Sequence, residues 1–113
     1  MHELSVATAL VEQAEESAKN AGAARVLSVS VVVGKLSGVQ PEALDFAFSV
    51  ASEGTFLENS RLIIEAPPLK VKCVNCGAET FPSYPELSCV SCGSADTKIV
   101  QGREFVFKSM EIE

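Results

Sequence analysis

The sequence reads CVNCG at residues 73–77 and CVSCG at residues 89–93. These two pentapeptides contain all four cysteines of the 113-residue chain: Cys73, Cys76, Cys89 and Cys92. A Cys-x-x-Cys turn places two sulfurs on one side of a tight loop, and the glycine that follows accepts the positive φ angle of that turn. Two such turns facing each other predict a zinc ribbon, in which four thiolates surround one ion. Because the protein supplies every ligand, the ion would stabilise the fold and take no part in chemistry.

Three other interpretations of the cysteines can be weighed against zinc. Two disulfides are disfavoured, because the paired turns favour a metal and no secretory segment is expected before them. Iron in a rubredoxin-like site has the same four-sulfur geometry, and the spacing alone leaves it open, although no aromatic cluster surrounds the cysteines. A thioredoxin-type redox pair requires a Cys-x-x-Cys that opens a helix after a strand, and neither pair has that setting.

Composition limits the classes of function. With 47% hydrophobic and 21% charged residues, the chain predicts one modest core and a smaller part held by metal. A net charge of -6 and a pI near 4.8 argue against a nucleic-acid partner, which needs a concentrated basic surface. No apolar run approaches the length of a membrane span and the first residues do not resemble a signal peptide, so we expect a cytoplasmic protein.

The other segments predict an α+β fold of two helices packed on a three-stranded sheet, with the zinc-ribbon module inserted. Hydrophobic periodicity and turn residues predict, in chain order, a helix over 3–21, a strand over 25–33, a helix over 41–53, and strands over 61–66 and 104–112. Because sequential strands are usually neighbours, we expect the second and third strands to pair, with the ribbon projecting from their connection.

Each predicted helix has one apolar face. In the first helix the residues expected to be buried are Leu4, Ala7, Leu10, Val11, Ala14 and Ala18. In the second helix they are Leu44, Ala47, Phe48 and Ala51. The helices would therefore pack through these faces.

The predicted domain organisation follows from the insertion. Residues 1–68 together with 101–113 would form the α+β domain, and residues 69–100 the zinc ribbon. Pro67-Pro68 and Gln101-Gly102 are candidate hinges at the two junctions, so we expect the two parts to reorient.

The chain begins Met1-His2-Glu3, and His2 is its only histidine. The N-terminal amine of Met1, the backbone nitrogen of His2 and its Nδ1 can form consecutive chelate rings around one ion. Such nitrogen-rich coordination suits Ni(II) or Cu(II) better than zinc. The backbone nitrogen of Glu3 can contribute further, and its carboxylate is a candidate metal ligand or helix cap. An exposed histidine with no role is the alternative that the residues themselves leave open.

The start Met1-His2-Glu3-Leu4-Ser5, the valine-rich strand ending at Gly34 and the late pair of CxxCG turns resemble the HypA family over essentially the whole chain. HypA and its HybF paralogues are nickel metallochaperones of NiFe-hydrogenase maturation. The resemblance implies nickel held by His2, the Met1 amine and the backbone nitrogens of His2 and Glu3. It implies structural zinc held by Cys73, Cys76, Cys89 and Cys92.

The resemblance also implies partners, namely the nickel-handling GTPase HypB, the NiFe-hydrogenase large subunit and, for some members, urease accessory proteins. Some members carry histidines beside the cysteines, and this chain has none there. Some place an acidic residue near nickel in the loop before the second helix; this chain offers only Glu42 there, so we assign no nickel ligand to that loop.

The expected activity is ligand exchange and not catalysis. With its single histidine at the start and its cysteines committed to metal, the chain has no nucleophile-and-base pair, so we expect no enzyme. The alternative function is a zinc-ribbon module that binds protein or nucleic acid without delivering nickel. Exposed aromatics on a basic face would favour that alternative.

Overall fold

Two helices and six strands follow one another in the computed structural model, which describes residues 2–113. They are α1 (Glu3–Asn20), β1 (Val26–Val33), α2 (Pro41–Ala51), β2 (Arg61–Glu65), β3 (Lys70–Cys73), β4 (Glu79–Thr80), β5 (Thr97–Gln101) and β6 (Phe105–Ile112). Over this described range, neither helix has the length and apolar character needed to cross a membrane. The α+β class with two helices, as the sequence predicts, is confirmed.

The chain divides into two compact units. The first contains the chain up to Val32 together with Val39–Glu65 and Val106–Glu113. The second contains Val33–Gly38 and Ala66–Phe105. The strands form two three-stranded sheets, ordered β2-β1-β6 and β4-β3-β5.

The order of the first sheet corrects the expected strand pairing. β2 and β6 do not pair, because β1 lies between them and runs parallel to β2, from Ser28 opposite Arg61 to Val32 opposite Glu65. Parallel strands need a crossover connection, and α2 provides it between β1 and β2. β1 takes the centre because all of its residues except Leu27 are buried or half-buried, so both of its faces are covered, whereas β2 has no buried residue.

The core of the first unit comes from both helices and β1. The helices α1 and α2 pack against each other, and their buried apolar residues are Ala7, Leu10, Val11, Ala14, Ala18, Leu44, Ala47 and Phe48. Two positions differ from the predicted faces. Leu4 is 55% exposed and Ala51 is only half-buried, while Glu3 is buried on the core side of α1.

The second unit is built around β3, which pairs antiparallel with both β4 and β5. The sequence predicts the ribbon here but not these three strands, because β4 has only two residues and β5 lacks a clear apolar alternation. Beside this sheet, the Gly34 N–H donates to the Glu104 carbonyl at 2.7 Å. A Cβ on Gly34 would lie 2.5 Å from the Gly102 carbonyl carbon, so this approach requires glycine.

Candidate metal centres

The first cysteine turn, residues 73–77, follows directly from β3. The Cys76 N–H donates to Cys73 Sγ at 3.3 Å, and the Gly77 N–H donates to the Cys73 carbonyl at 3.0 Å. Gly77 has a φ of 77°, a left-handed conformation that glycine adopts without strain. The turn therefore fixes the Cys73 sulfur by local backbone geometry.

The second turn, residues 89–93, repeats the first. The Cys92 N–H donates to Cys89 Sγ at 3.4 Å, and the Gly93 N–H donates to the Cys89 carbonyl at 2.8 Å. Gly93 has a φ of 80°. The same sequence spacing has produced nearly the same backbone geometry, so each turn presents its sulfurs in a similar way.

The two turns bring their sulfurs together, all four Sγ atoms lying within 4.8 Å of one another. The separation is 3.6 Å between Cys73 and Cys92 and 3.7 Å between Cys76 and Cys89. Zinc–sulfur bonds of about 2.3 Å place the corners of a regular tetrahedron roughly 3.8 Å apart, close to these distances. All four thiols are free, which does not match the disulfide alternative. The cluster fits a zinc site.

The backbone donors also bias the protonation of the thiols. The Cys92 N–H lowers the pKa of Cys89 to about 6, and the Cys76 N–H likewise lowers the pKa of Cys73. The Ala78 N–H acts to lower the pKa of Cys76, but burial and the neighbouring sulfurs outweigh it and raise this pKa to about 11. The turns thus stabilise the thiolate at the first cysteine of each pair, and a metal would have to displace the proton of Cys76.

Two threonines support the second turn. The Val90 N–H donates to the Thr80 hydroxyl at 3.3 Å, and the Thr97 hydroxyl donates to the Leu87 carbonyl at 2.7 Å. Thr80 belongs to β4 and Thr97 to β5, so the sheet holds the loop that carries Cys89. Nothing in a single sequence distinguishes these two threonines from other strand threonines, so they were not predicted.

His2 lies exposed at the start of α1. Its carbonyl accepts the first helical hydrogen bond, from the Val6 N–H at 2.9 Å, while its side chain makes no capping hydrogen bond within the described range. The Met1 amine, predicted to share an ion with His2, lies outside the described residues.

Glu3 points away from solvent, with only 7% of its surface exposed. Its Oε2 accepts a hydrogen bond from the Gln40 N–H at 3.2 Å, directly before α2. That donor is the main cause that lowers the pKa of Glu3, followed by its own N–H, while burial opposes the shift. The carboxylate thus contacts the start of α2. A signal for this burial exists in the sequence, because Glu3 precedes the buried Ala7 by four residues.

Comparison with known proteins gives a match over nearly the whole chain. The family model HypA, described as hydrogenase/urease nickel incorporation, metallochaperone, matches residues 1–112. A hydrogenase maturation factor HypA from Roseiflexus is 48% identical over 116 residues, covering 100% of this chain and 93% of the relative. One from Aquifex aeolicus is 40% identical over 113 residues, covering 100% and 98%.

Solved structures give the same result. The solution structure of the Ni metallochaperone HypA from Helicobacter pylori aligns with a TM-score of 0.66 and 28% identity, covering 99% of this chain and 97% of that one. A further solution structure, of HypA protein, aligns with a TM-score of 0.73 and 28% identity, covering 100% and 97%.

Proposed function

The chain belongs to the HypA family of hydrogenase and urease nickel-incorporation metallochaperones, and we propose that it binds Ni(II) at its N-terminus and delivers the ion for maturation of NiFe-hydrogenase. The observation that carries this proposal is that His2, directly before α1, is exposed and makes no side-chain capping hydrogen bond in the described range. The chain also matches the family model from residue 1. The family consists of maturation factors and not of catalytic enzymes.

The proposed nickel ligands are nitrogens. They are the Met1 amine, the backbone nitrogen and imidazole of His2, and the backbone nitrogen of Glu3. The Glu3 carboxylate, the remaining candidate, is engaged by the Gln40 N–H, so we assign it no coordination. This ligand set is supported by the short spacing of its members and by the preference of Ni(II) for nitrogen donors.

The proposed zinc ligands are Cys73, Cys76, Cys89 and Cys92. Four thiolates leave no coordination position for a substrate, so this ion would hold the second unit together. The domain boundaries proposed from the sequence, 1–68 plus 101–113 and 69–100, place zinc and nickel in different domains.

Delivery would proceed by ligand exchange. An ion held by a few nitrogens around the exposed His2 can pass to a competing set of ligands without unfolding its carrier. The proposed recipient is the NiFe-hydrogenase large subunit, with HypB as the nickel-handling partner and urease accessory proteins as a further route. The proposed compartment is the cytoplasm, where cysteine thiols stay reduced.

The test is metal analysis and nickel titration by calorimetry on tag-free protein that begins with Met1. We expect one zinc in the isolated protein and uptake of one nickel. The His2→Ala variant should weaken nickel binding by at least about 100-fold, because it removes a direct ligand. Gln13→Ala, a change at an exposed position of α1, is the matched control and should bind nickel as the wild type does.

An additional glycine before Met1 sharpens the same test. It displaces the amine from the chelate while leaving His2 in place, so nickel binding should weaken even though every side chain is retained. Undiminished nickel affinity in His2→Ala would contradict the assignment of the site. Zinc without nickel uptake in the wild type would contradict delivery and favour an interaction module.

A further inference from the structure

β2 is an edge strand, and its aliphatic residues are only partly buried. In the sheet order β2-β1-β6 it has β1 on one side and, within residues 2–113, no strand on the other. Its sequence RLIIE contains three consecutive aliphatic residues, yet none of its five residues is buried, and Ile63 is 38% exposed. An edge of this kind presents main-chain donors and acceptors to an additional strand.

The outward face of α2 is apolar as well. Phe46 is 72% exposed and Val50 is 45% exposed, whereas Leu44 and Phe48 are buried. Phe46 and Val50 are four residues apart and therefore lie on one side of the helix. A largely exposed phenylalanine is a typical anchor of a binding surface.

A groove connects α2 with β2. A cavity of about 450 Å³ lies between them, with Phe46, Phe48 and Leu62 among its lining residues. A second cavity of about 280 Å³ reaches Ile64, and Glu42, Asp45 and Leu62 line both. The depression therefore continues along β2 from Leu62 to Ile64.

The charged residues of the groove indicate which kind of side chain it would bind. Glu42 and Asp45 line both cavities, and neither belongs to an ion pair among the residues that the structure describes. Arg61 lines the larger cavity at the start of β2. Two carboxylates against one guanidinium make the centre of the groove negative, so a lysine or arginine side chain would fit there.

We propose that this groove, lined by α2 and β2, binds an extended segment of a partner protein in which basic residues alternate with aliphatic ones. The segment pairs its backbone with the open edge of β2. Because successive side chains of a strand alternate between two faces, its basic residues reach Glu42 and Asp45 on the helix side. A second copy of this chain fits less well, since its net charge is -6. The site is separate from the proposed nickel ligands and does not depend on nickel delivery.

The test uses a blocked peptide of alternating valine and lysine, about as long as β2, and the full-length zinc-loaded protein. Amide signals followed by NMR during titration should shift at residues 42–50 and 60–65. The double variant Glu42→Gln with Asp45→Asn should bind the peptide at least about tenfold more weakly. Phe46→Ala, at an exposed position, should also weaken binding. A peptide with glutamate in place of lysine should not bind.

The matched control is Glu12→Gln with Glu16→Gln, which removes the same charge from exposed positions of α1. Binding by this control should equal that of the wild type. Absence of peptide binding, or equal binding by the groove variant, would overturn the proposal. A peptide-free protein that dimerises through β2, detected by sedimentation and by concentration-dependent shifts at residues 60–65, would overturn it in favour of a second copy. Nickel uptake by the groove variant should remain unchanged, so this test and the nickel test can fail independently.

Discussion

The cysteine cluster and the start of α1 are opposite kinds of candidate metal site. In the cluster, four sulfurs from two matching turns converge within 4.8 Å, and backbone N–H groups hold the first sulfur of each turn. At the start of α1, a single exposed imidazole projects from a residue whose side chain caps nothing in the described range. This difference supports the proposal that the cluster would retain its ion and that the start of α1 would exchange it.

The two units also differ in how much core supports them. The first unit buries apolar residues from two helices and the central strand. Apart from Pro82, the buried residues in the ribbon segment of the second unit are Leu69, Val71, Cys73 and Cys89. Two of these four are candidate ligands, so the ribbon should depend on its metal more than the first unit does.

The largest effect is expected from Cys89→Ala, which breaks the closed site. Structural zinc sites supply on the order of 10 kcal/mol of folding free energy, more than a small segment can replace. The variant should lose zinc, and amide signals of residues 66–105 should collapse while those of α1 and α2 remain dispersed. Ser91→Ala, an exposed change in the same turn, should keep both zinc and dispersion. Stoichiometric zinc in Cys89→Ala would refute a four-thiolate site.

A smaller effect is expected from Gly34→Ala, which tests whether close backbone packing, in addition to metal, stabilises the second unit. The added Cβ would lie 2.5 Å from the Gly102 carbonyl carbon and 2.7 Å from Glu104 Oε1. The backbone must shift, at a cost of roughly 1–3 kcal/mol. Urea unfolding of the zinc-loaded variant, followed by the NMR signals of amides in β3 and β5, should have a lower midpoint concentration than that of the wild type. The exposed Lys35→Ala should leave that midpoint unchanged, and an unchanged midpoint in Gly34→Ala would contradict the close approach.

The smallest effect is expected from Glu3→Gln, which tests whether the hydrogen bond between Glu3 and Gln40 stabilises the packing of α1 in the first unit. The hydrogen bond from the Gln40 N–H holds the pKa of Glu3 below its ordinary value of 4.5. A lowered pKa in the folded state means that the carboxylate stabilises the fold above about pH 4.5 and loses this contribution as the pH falls through the folded value.

Thermal unfolding of nickel-free protein, followed at amides of α1 and α2, measures this contribution. The wild type should be more stable than Glu3→Gln at pH 7, and the difference should shrink below about pH 4.5. Glu12→Gln measures the effect of one lost charge at an exposed position of α1. If the difference in unfolding temperature between the wild type and Glu3→Gln is the same at pH 7 and below about pH 4.5, the Gln40 N–H does not stabilise the Glu3 carboxylate.

The elements of the fold were largely predictable, and their arrangement was not. The starts of α1, α2 and β2 agree with the predicted bounds, because hydrophobic periodicity and Pro41 are local signals. The pairing of β2 with β6 was predicted wrongly. The rule that sequential strands are neighbours held instead for β1 and β2, which α2 joins as a crossover.

The sequence by itself determined the two cysteine turns, because each turn closes within five residues and its geometry is local. It also identified His2 as a candidate ligand, since the chelate rings involve only neighbouring atoms. Tertiary structure alone decided that Gln40 is the hydrogen-bond partner of Glu3, that β1 takes the central position and that the groove beside β2 stays open. These depend on which distant segments compete for the same buried surface, and a pattern read along one segment carries no information about that competition.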